Sequence, residues 1–389
     1  MTTSGVLVCT RRLAWVLLVA AVAACSDGEA RVGVLLPLSG PLAQQGEEAR
    51  RGIELAWQEL PEAERPLLVS ADSLGTGVGT AAGFHDLVDQ GATLVLGPIT
   101  TECALTASAA AANRRVAFVT PSATGEEVTR DNPYAMRFCA GDVEMARELA
   151  VHARYTLRLS RLAVIVDLSS RHSLGFGEAF AREFQVRRGR IVEELTYQGT
   201  GRSAVSSTGQ RDDRRGLLDR VAELDVEGVL VAGDHDDVLL MLEAARSPRV
   251  RELVLLGSSA WEGPALEASL PGRVGGAWRV SHYHHDEAAL PSEAARGVSD
   301  FITRFEAAYG EPPGGLAALA YDTARAAFAV FDPSLDGPAI RERLAEIQFF
   351  VGITGSVHMD PGGRPRAKTF VLEQLHDEAR SGFVQRLGD

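Results

Sequence analysis

Lysine is nearly missing from this chain of 389 residues, Lys368 being the only one, so arginine supplies almost all of the positive charge; we read that as base-composition bias and attach no function to it. Basic residues total 39 against 52 acidic ones, a formal net charge of −13, which argues against a continuous phosphate backbone, and so against nucleic acid, as a partner. Cysteine is scarce, with four in all. The spacing of Cys103 and Cys139 fits no zinc pattern; in an oxidising compartment they either pair or stay as two buried thiols. Catalytic signatures are lacking: there is no G-x-S-x-G, no Walker A loop, no H-E-x-x-H and no C-x-x-C, and no two carboxylates stand out as an acid and a base. Binding is favoured over turnover, and neither enzyme activity nor a cofactor is expected. Beyond the N-terminus no run is long and apolar enough to meet a membrane. What is there, 46% hydrophobic and 23% charged residues with 39 glycines, excludes disorder, collagen and coiled coil and suits a globular protein of two domains.

Residues 1–24 read as an export signal: Arg11 and Arg12 precede the apolar Leu13-Ala14-Trp15-Val16-Leu17-Leu18-Val19-Ala20-Ala21, which is short for a membrane span. Val22-Ala23-Ala24-Cys25 closes it and resembles a bacterial lipobox, which is cut before the cysteine so that thiol and new amino group are acylated. Each buried CH₂ is worth about 0.8 kcal/mol, so several acyl chains on Cys25 would hold the protein at a membrane face. A plain secretory peptide with a chance cysteine and a twin-arginine signal at Arg11-Arg12 are the alternatives. The expected location is extracytoplasmic, periplasmic or at the cell surface, with residues 25–30 as a lipidated linker.

From residue 31 onward, apolar β-branched runs alternate with stretches of helical period. Strands are expected at 31–38, 66–72, 92–98, 115–121, 161–167, 190–197, 228–233, 252–258 and 276–281. Residues 44–60 put Ala49, Ile53, Ala56, Trp57 and Leu60 on one face, as a helix packed on a sheet does. Two such series, one before about 141 and one after about 160, predict an α/β fold of two doubly wound parallel-sheet lobes. Ligands in such sheets sit beyond the C-terminal strand ends. Here those ends are hydroxyl-rich and mostly uncharged, including Gly97-Pro98-Ile99-Thr100-Thr101 and Thr120-Pro121-Ser122-Ala123-Thr124. Short hydroxyls and free N–H groups at helix starts suit a carboxylate, although Ser and Thr there also serve as ordinary caps.

Three other motifs carry less. Gly77-Val78-Gly79-Thr80-Ala81-Ala82 formally fits a dinucleotide fingerprint, but it follows the second strand of its series, with no acidic strand end some 20 residues on. His282-Tyr283-His284-His285-Asp286-Glu287 crowds three imidazoles and two carboxylates together. No second cluster completes a metal site, so a polar, exposed crossover is expected there and no metal. Asp234-His235-Asp236-Asp237 opens a helix expected at 238–246, where acids suit the dipole, or else meets a ligand's cationic group.

Taken in order, these residues resemble the type I periplasmic solute-binding proteins of the leucine/isoleucine/valine-binding kind, which serve ABC importers. Val32-Gly33-Val34-Leu35-Leu36-Pro37-Leu38-Ser39-Gly40-Pro41 with Ala43 and Gly46 is similar to the family's opening; Gly97-Pro98 with Thr101, and Thr120 to Thr124, are similar to its first-lobe ligand loops. Tyr321-Asp322, Phe350 to Val357, Asp360 and Gly362 are similar to its closing signature. The resemblance implies two lobes, 31–141 plus 283–352 and 142–282 plus 353–389, joined by three chain crossings near 141, 282 and 352, with a ligand trapped on hinge closure. It implies a ligand carboxylate at Thr101, a ligand ammonium at the Ser122 carbonyl and the Thr124 hydroxyl, and an acid near the first crossing at Asp142. Where family members carry ligand-packing aromatics, this chain has Gln45, Asp234 or His235, and Leu174; the acid completing the ammonium site falls near Ser259. The first lobe thus keeps amino-acid-like anchors while the second has changed. The function implied is a monomeric lipoprotein that presents a small polar ligand, an amino acid or related amide, to ABC permease subunits. The rival is a binding fold retooled to regulate a cell-envelope enzyme or sensor without transport.

Overall fold

The structure, a computed structural model, describes residues 31–199, 213–285, 292–360, 363–375 and 381–387. The expected export signal and Cys25 lie outside the described residues. No helix among the described residues is long and apolar enough to cross a membrane.

The first sheet comprises β1 (Arg31–Leu36), β2 (Leu67–Asp72), β3 (Ala92–Leu96), β4 (Ala117–Thr120) and β5 (Ala135–Arg137), in the order β2-β1-β3-β4-β5 with every pairing parallel. Crossovers run through α1 (Ala43–Gln58), α2 (Gly77–Asp89) and α3 (Thr101–Arg114). The second sheet is built on β6 (Arg161–Asp167), β7 (Arg190–Tyr197), β8 (Gly228–Val231), β9 (Val254–Gly257) and β10 (Gly276–Ser281), joined by parallel pairings. Its helices are α4 (Asp142–Val151), α5 (Arg171–Val186), α6 (Leu217–Glu223), α7 (His235–Ala244) and α8 (Pro264–Ser269). The chain then returns through α9 (Ser292–Tyr309), α10 (Gly315–Val330) and α11 (Gly337–Ala345) to the first core. A three-stranded antiparallel sheet follows, β11 (Phe350–Gly352), β12 (Gly355–Met359) and β13 (Pro365–Lys368). Finally β14 (Phe370–Leu375) and β15 (Ser381–Leu387) extend the second sheet antiparallel, giving β15-β14-β10-β9-β8-β6-β7.

The inner strands β1, β3, β4, β6, β8 and β9 are covered on both faces and are apolar almost throughout, as parallel strands must be when neither face meets water; the edge strands β2 and β7 are more polar and part-exposed. On the first, α1 and α10 bring Ile53, Leu55 and Tyr321 to one face, while Phe84 and Leu87 of α2 and Ala104 and Ala107 of α3 cover the other. On the second, Val221, Val238 and Leu266 lie on one face and Met145, Phe176, Phe180 and Phe184 on the other. Burying each aromatic or large aliphatic contributes about 1.5–3 kcal/mol.

The expected strands 161–167, 190–197 and 276–281 coincide with β6, β7 and β10; the others are shorter than expected. Three expectations need correction. The 282–285 crossover is not an exposed polar loop: His282, Tyr283 and His284 are buried, because the segment passes between the cores and Tyr283 packs on Phe301. Helix α7 starts at His235, three residues before the expected start, because Asp234 is its cap. Ile353, Val357 and Met359 pack into the first core, so after 352 the chain stays with the first lobe through the small sheet and joins the second only at Phe370. Cys103 and Cys139 are free buried thiols, and burial, more than the charges around it, pushes the Cys139 thiol up to about 12.

Gly52 lets α1 lie directly on α10: a Cβ there would stand 2.2 Å from the Ala317 carbonyl oxygen. A helix-interior Gly→Ala change ordinarily stabilises by up to about 1 kcal/mol. Gly52→Ala should instead destabilise by about 1–3 kcal/mol, as overpacking does. Urea unfolding of the two proteins checks the sign, and a stabilised variant would show that the two helices have room to part.

Candidate functional site

The loops that leave the C-terminal ends of the strands in both sheets meet in one cleft. Two of them, in the first lobe, are laced together. Thr120 Oγ1 donates to the Pro98 carbonyl at 2.6 Å, Ala123 N–H donates to Thr120 Oγ1 at 3.1 Å, and the Ser122 hydroxyl donates to the Ile99 carbonyl at 2.8 Å. Gly97, at φ +96°, lets the first of these loops leave the sheet against β1, since a Cβ there would sit 2.2 Å from the Leu35 carbonyl oxygen. Thr100 caps α3 by accepting from Cys103 N–H, so Thr101 is the first helical residue, and its hydroxyl accepts from Gly125 N–H at 3.2 Å. The Thr124 carbonyl accepts from the buried Arg137 guanidinium at 2.6 Å and from Asp142 N–H at 3.2 Å. Thr124 is thereby fixed at the first crossing, beside the start of α4.

Into this corner reaches His172, the second residue of α5, from the other lobe. Its Nδ1 lies 2.7 Å from Asp142 Oδ1 and 3.0 Å from Thr124 Oγ1, and its Nε2 lies 2.9 Å from Ser258 Oγ. A carboxylate only accepts, so Nδ1 carries a proton shared between Asp142 and Thr124. Burial by itself would lower the imidazole's pKa, but the charge and hydrogen bond of Asp142, with the charge of Glu102, outweigh it and hold the pKa above the ordinary value. A second bond crosses the cleft beside it: Arg171 N–H, at the start of α5, donates to Glu102 Oε1 at 2.6 Å. The lobes are closed on each other in this structure through these groups.

A third cross-lobe meeting lies at the start of α10. Glu48 of α1 accepts from Ala317 N–H at 3.2 Å, and Glu262, after β9, accepts from the Ser281 hydroxyl at 2.6 Å. Both carboxyls stand so near α10 that a Cβ on Gly314 would meet Glu48 at 2.3 Å and one on Gly315 would meet Glu262 at 2.3 Å. Burial, then the charges of Glu262 and Glu311, raise Glu48 to about 7. Burial also raises Glu262 to about 7, with Glu373 and Glu267 pushing the same way and Arg279 opposing.

Of the residues singled out from sequence, Thr124 and Asp142 meet at His172, with Thr101 and Ser122 in the adjoining loops. Gln45 lies in the first turn of α1 with its side-chain Oε1 buried and unpartnered. Asp234 serves α7, accepting from Asp237 N–H at 3.0 Å, and Ser259 opens the short turn after Ser258. His172 escaped sequence reading, which looked two residues on, at Leu174, for an aromatic wall. The available signal was an imidazole at the N-terminus of the helix after β6. His284 stacks on His285 and faces Glu373 at 3.8 Å, and among the described residues no three His, Cys, Asp or Glu side chains gather as a metal site.

Two doubly wound lobes, closed across loops at their strand ends, define the type I binding-protein fold. The sequence profile described as periplasmic binding protein matches residues 29–377, so the chain belongs to the periplasmic binding protein family. Leu/Ile/Val-binding protein homolog 3 of Brucella melitensis is 27% identical over 241 residues, 60% of this chain and 62% of that protein's own length. Among solved structures, the branched-chain amino acid transporter substrate-binding protein LivJ of Streptococcus pneumoniae, in complex with isoleucine, superposes with TM-score 0.79 at 20% identity, covering 92% of this chain and 99% of that one. An ABC transporter solute-binding protein of R. palustris, in complex with benzoate, gives TM-score 0.76 at 20% identity over 93% and 98% of the two chains.

Glu48 and Glu262 make folding pH-dependent. Their carboxyls are protonated in both folded and unfolded chains below the ordinary 4.5 and ionised in both above about 7; in between, the folded state holds the extra protons. Stability from this pair is therefore full below 4.5 and lost as pH rises toward 7, at most about 1.4 kcal/mol per pH unit for each proton. His152 and His282, lowered by burial to about 4 and about 3, act in the opposite sense. The informative quantity is the difference between wild type and Glu48→Gln in chemical denaturation from pH 4.5 to 7.5. The stability of wild type relative to the variant should fall steadily as the pH rises, leaving Glu48→Gln the more stable near pH 7.5; a constant difference would mean that Glu48 does not titrate in this range.

Proposed function

We propose that this chain is the extracytoplasmic solute-binding lipoprotein of an ABC importer, capturing a solute of the size and polarity of an amino acid or related amide between its lobes and presenting it to the permease. The observation that carries the reading is the closure itself: bonds from Thr124 to His172 and from Glu102 to Arg171 join strand-end loops of two separate sheets, as expected for two bodies that hinge about their connecting strands. The crossings near 141 and 282 and the stretch between Met359 and Phe370 form that hinge in this reading. Thr101, Ser122 and Thr124, with the start of α3, form the first-lobe half of the site; Gln45 closes it above, and Asp234 and Ser259 border the second-lobe half. Structural relatives holding isoleucine and benzoate support a cleft of this kind that takes small carboxylates. No bond is made or broken in this role. Discrimination comes from hydrogen-bonding groups that the wrong solute leaves unpaired. Acylation of Cys25 tethers the monomer to the membrane in reach of the permease.

A second reading, a regulatory lipoprotein without transport, is favoured by one observation: the cleft is held shut by the protein's own groups.

A thermal-shift screen of amino acids, amides and small carboxylates separates the two. A solute that binds only the folded state raises the melting temperature by mass action. Thr101→Ala or Thr124→Ala should then weaken the hit about ten- to hundredfold, the worth of one hydrogen bond to a charged group. Silence from folded protein across the panel would favour the regulatory reading. Mass spectrometry of the membrane fraction should find a mature N-terminus at Cys25 bearing acyl chains; exported protein with an unmodified Cys25 would remove the tether.

A further inference from the structure

At the first crossing the acceptor pair of Thr124 and Asp142 is already taken, whereas backbone donors at the start of α3 are not. Thr124 Oγ1 and Asp142 Oδ1 converge on a single atom, Nδ1 of His172. Other carboxylates at the strand ends are engaged: Glu102 by Arg171 N–H, Asp167 by the N–H groups of Ser169 and Gly199, Asp234 by Asp237 N–H, and Asp72 by those of Leu38 and Leu74. Among these described strand-end residues, every carboxylate already accepts a hydrogen bond, and an ammonium reaching for Asp142 Oδ1 would have to evict the ring. Donors differ. The N–H groups of Thr101 and Glu102 lie in the first turn of α3, where a helix provides no acceptor of its own and its dipole favours an anion. His282, 3% exposed at the second crossing, has a partner for neither ring nitrogen and, held neutral by burial, offers one donor and one acceptor.

We infer that the solute is a carboxylate without an α-ammonium group, and that His172 is the residue that sets this choice by standing in the place an ammonium would take. The inference rests on the solute-binding reading and narrows it. An amino acid pays for displacing His172 from Asp142 and Thr124, whereas the corresponding des-amino acid leaves that arrangement intact and uses the remaining donors. His172 is the only reach of α5 into the first-lobe loops by a side chain that donates to both Thr124 and Asp142, so its removal exposes an acceptor pair of the right chemistry for an ammonium.

The test is calorimetric titration of matched pairs: L-leucine with isocaproate, L-phenylalanine with hydrocinnamate, L-alanine with propionate. For at least one pair the wild type should bind the des-amino member about ten- to hundredfold more tightly, and His172→Ala should reverse or abolish that preference. The wild-type ratio stands without any variant, and His172→Gln, which keeps a hydrogen-bonding group of similar reach, gives a second measure should the alanine variant fold poorly. Wild-type binding of an amino acid as tight as, or tighter than, its des-amino partner overturns the inference while leaving solute binding intact. A preference unchanged in both variants overturns the role of His172. Binding of no member of any pair, with a broader carboxylate panel equally silent, removes the inference together with the solute-binding reading.

Discussion

The geometry of the cleft depends on one imidazole with four things to satisfy: its own burial, a carboxylate, and two hydroxyls from opposite sides. His172 meets Thr124, Asp142 and Ser258, which are 48, 30 and 86 residues away in sequence. An imidazole with its side chain 18% exposed tolerates that position only because both nitrogens are bonded and Asp142 holds the proton in place. The support runs outward from there. Arg137 grips the Thr124 carbonyl, the Thr101 hydroxyl takes Gly125 N–H, and so the whole 121–125 loop is set at the start of α3. Moving any one of these groups moves the acceptors that His172 reads.

Behind the cleft the second lobe buries a cluster of charges. Arg279 donates to Glu373 and to Glu267, each at 2.6 Å, and Glu262 lies in the same group, raised in pKa by its buried position and close to the first lobe's Glu48. In the small sheet, Lys368, the chain's sole lysine, donates to the carbonyl and hydroxyl of Thr354, while Asp322 accepts from Ile353 N–H, Thr354 N–H and the Thr354 hydroxyl. Such pairs gain little net stability over apolar packing and cost a great deal when half broken. Both networks adjoin segments that pass between the lobes, Arg279 just before the 282 crossing and Lys368 just before Phe370.

Much of this was legible in the sequence because parallel strands buried on both faces must be apolar throughout. Val32 to Leu36, Leu162 to Val166 and Val229 to Val231 announce themselves, and the helical stripes between them dictate the doubly wound order. The terminal strands were not legible. Glu373 and Lys368 interrupt β14 and β13 with charges that only their buried partners, Arg279 and Thr354, make tolerable, and those partners are distant in sequence. The hydroxyl-rich first-lobe loops that meet at the cleft were readable as strand ends. The group that reaches them from the second lobe was not: nothing local to Ser170-Arg171-His172-Ser173 tells that this ring will cross to Thr124 and also meet Ser258. Local pattern fixes elements, whereas convergence of groups from three segments exists only after the sheets have formed.

The most direct measurement is a crystal structure of the protein purified from its native cells with whatever solute it retains. Solute density between the start of α3 and His172, with a carboxylate on the Thr101 and Glu102 N–H groups and the imidazole still on Asp142, is the expected result. Density for a cationic nitrogen on Asp142 with His172 turned away would contradict the account of the site. An occupied pocket elsewhere, with this cleft filled only by the protein's own side chains, would contradict its role in binding altogether.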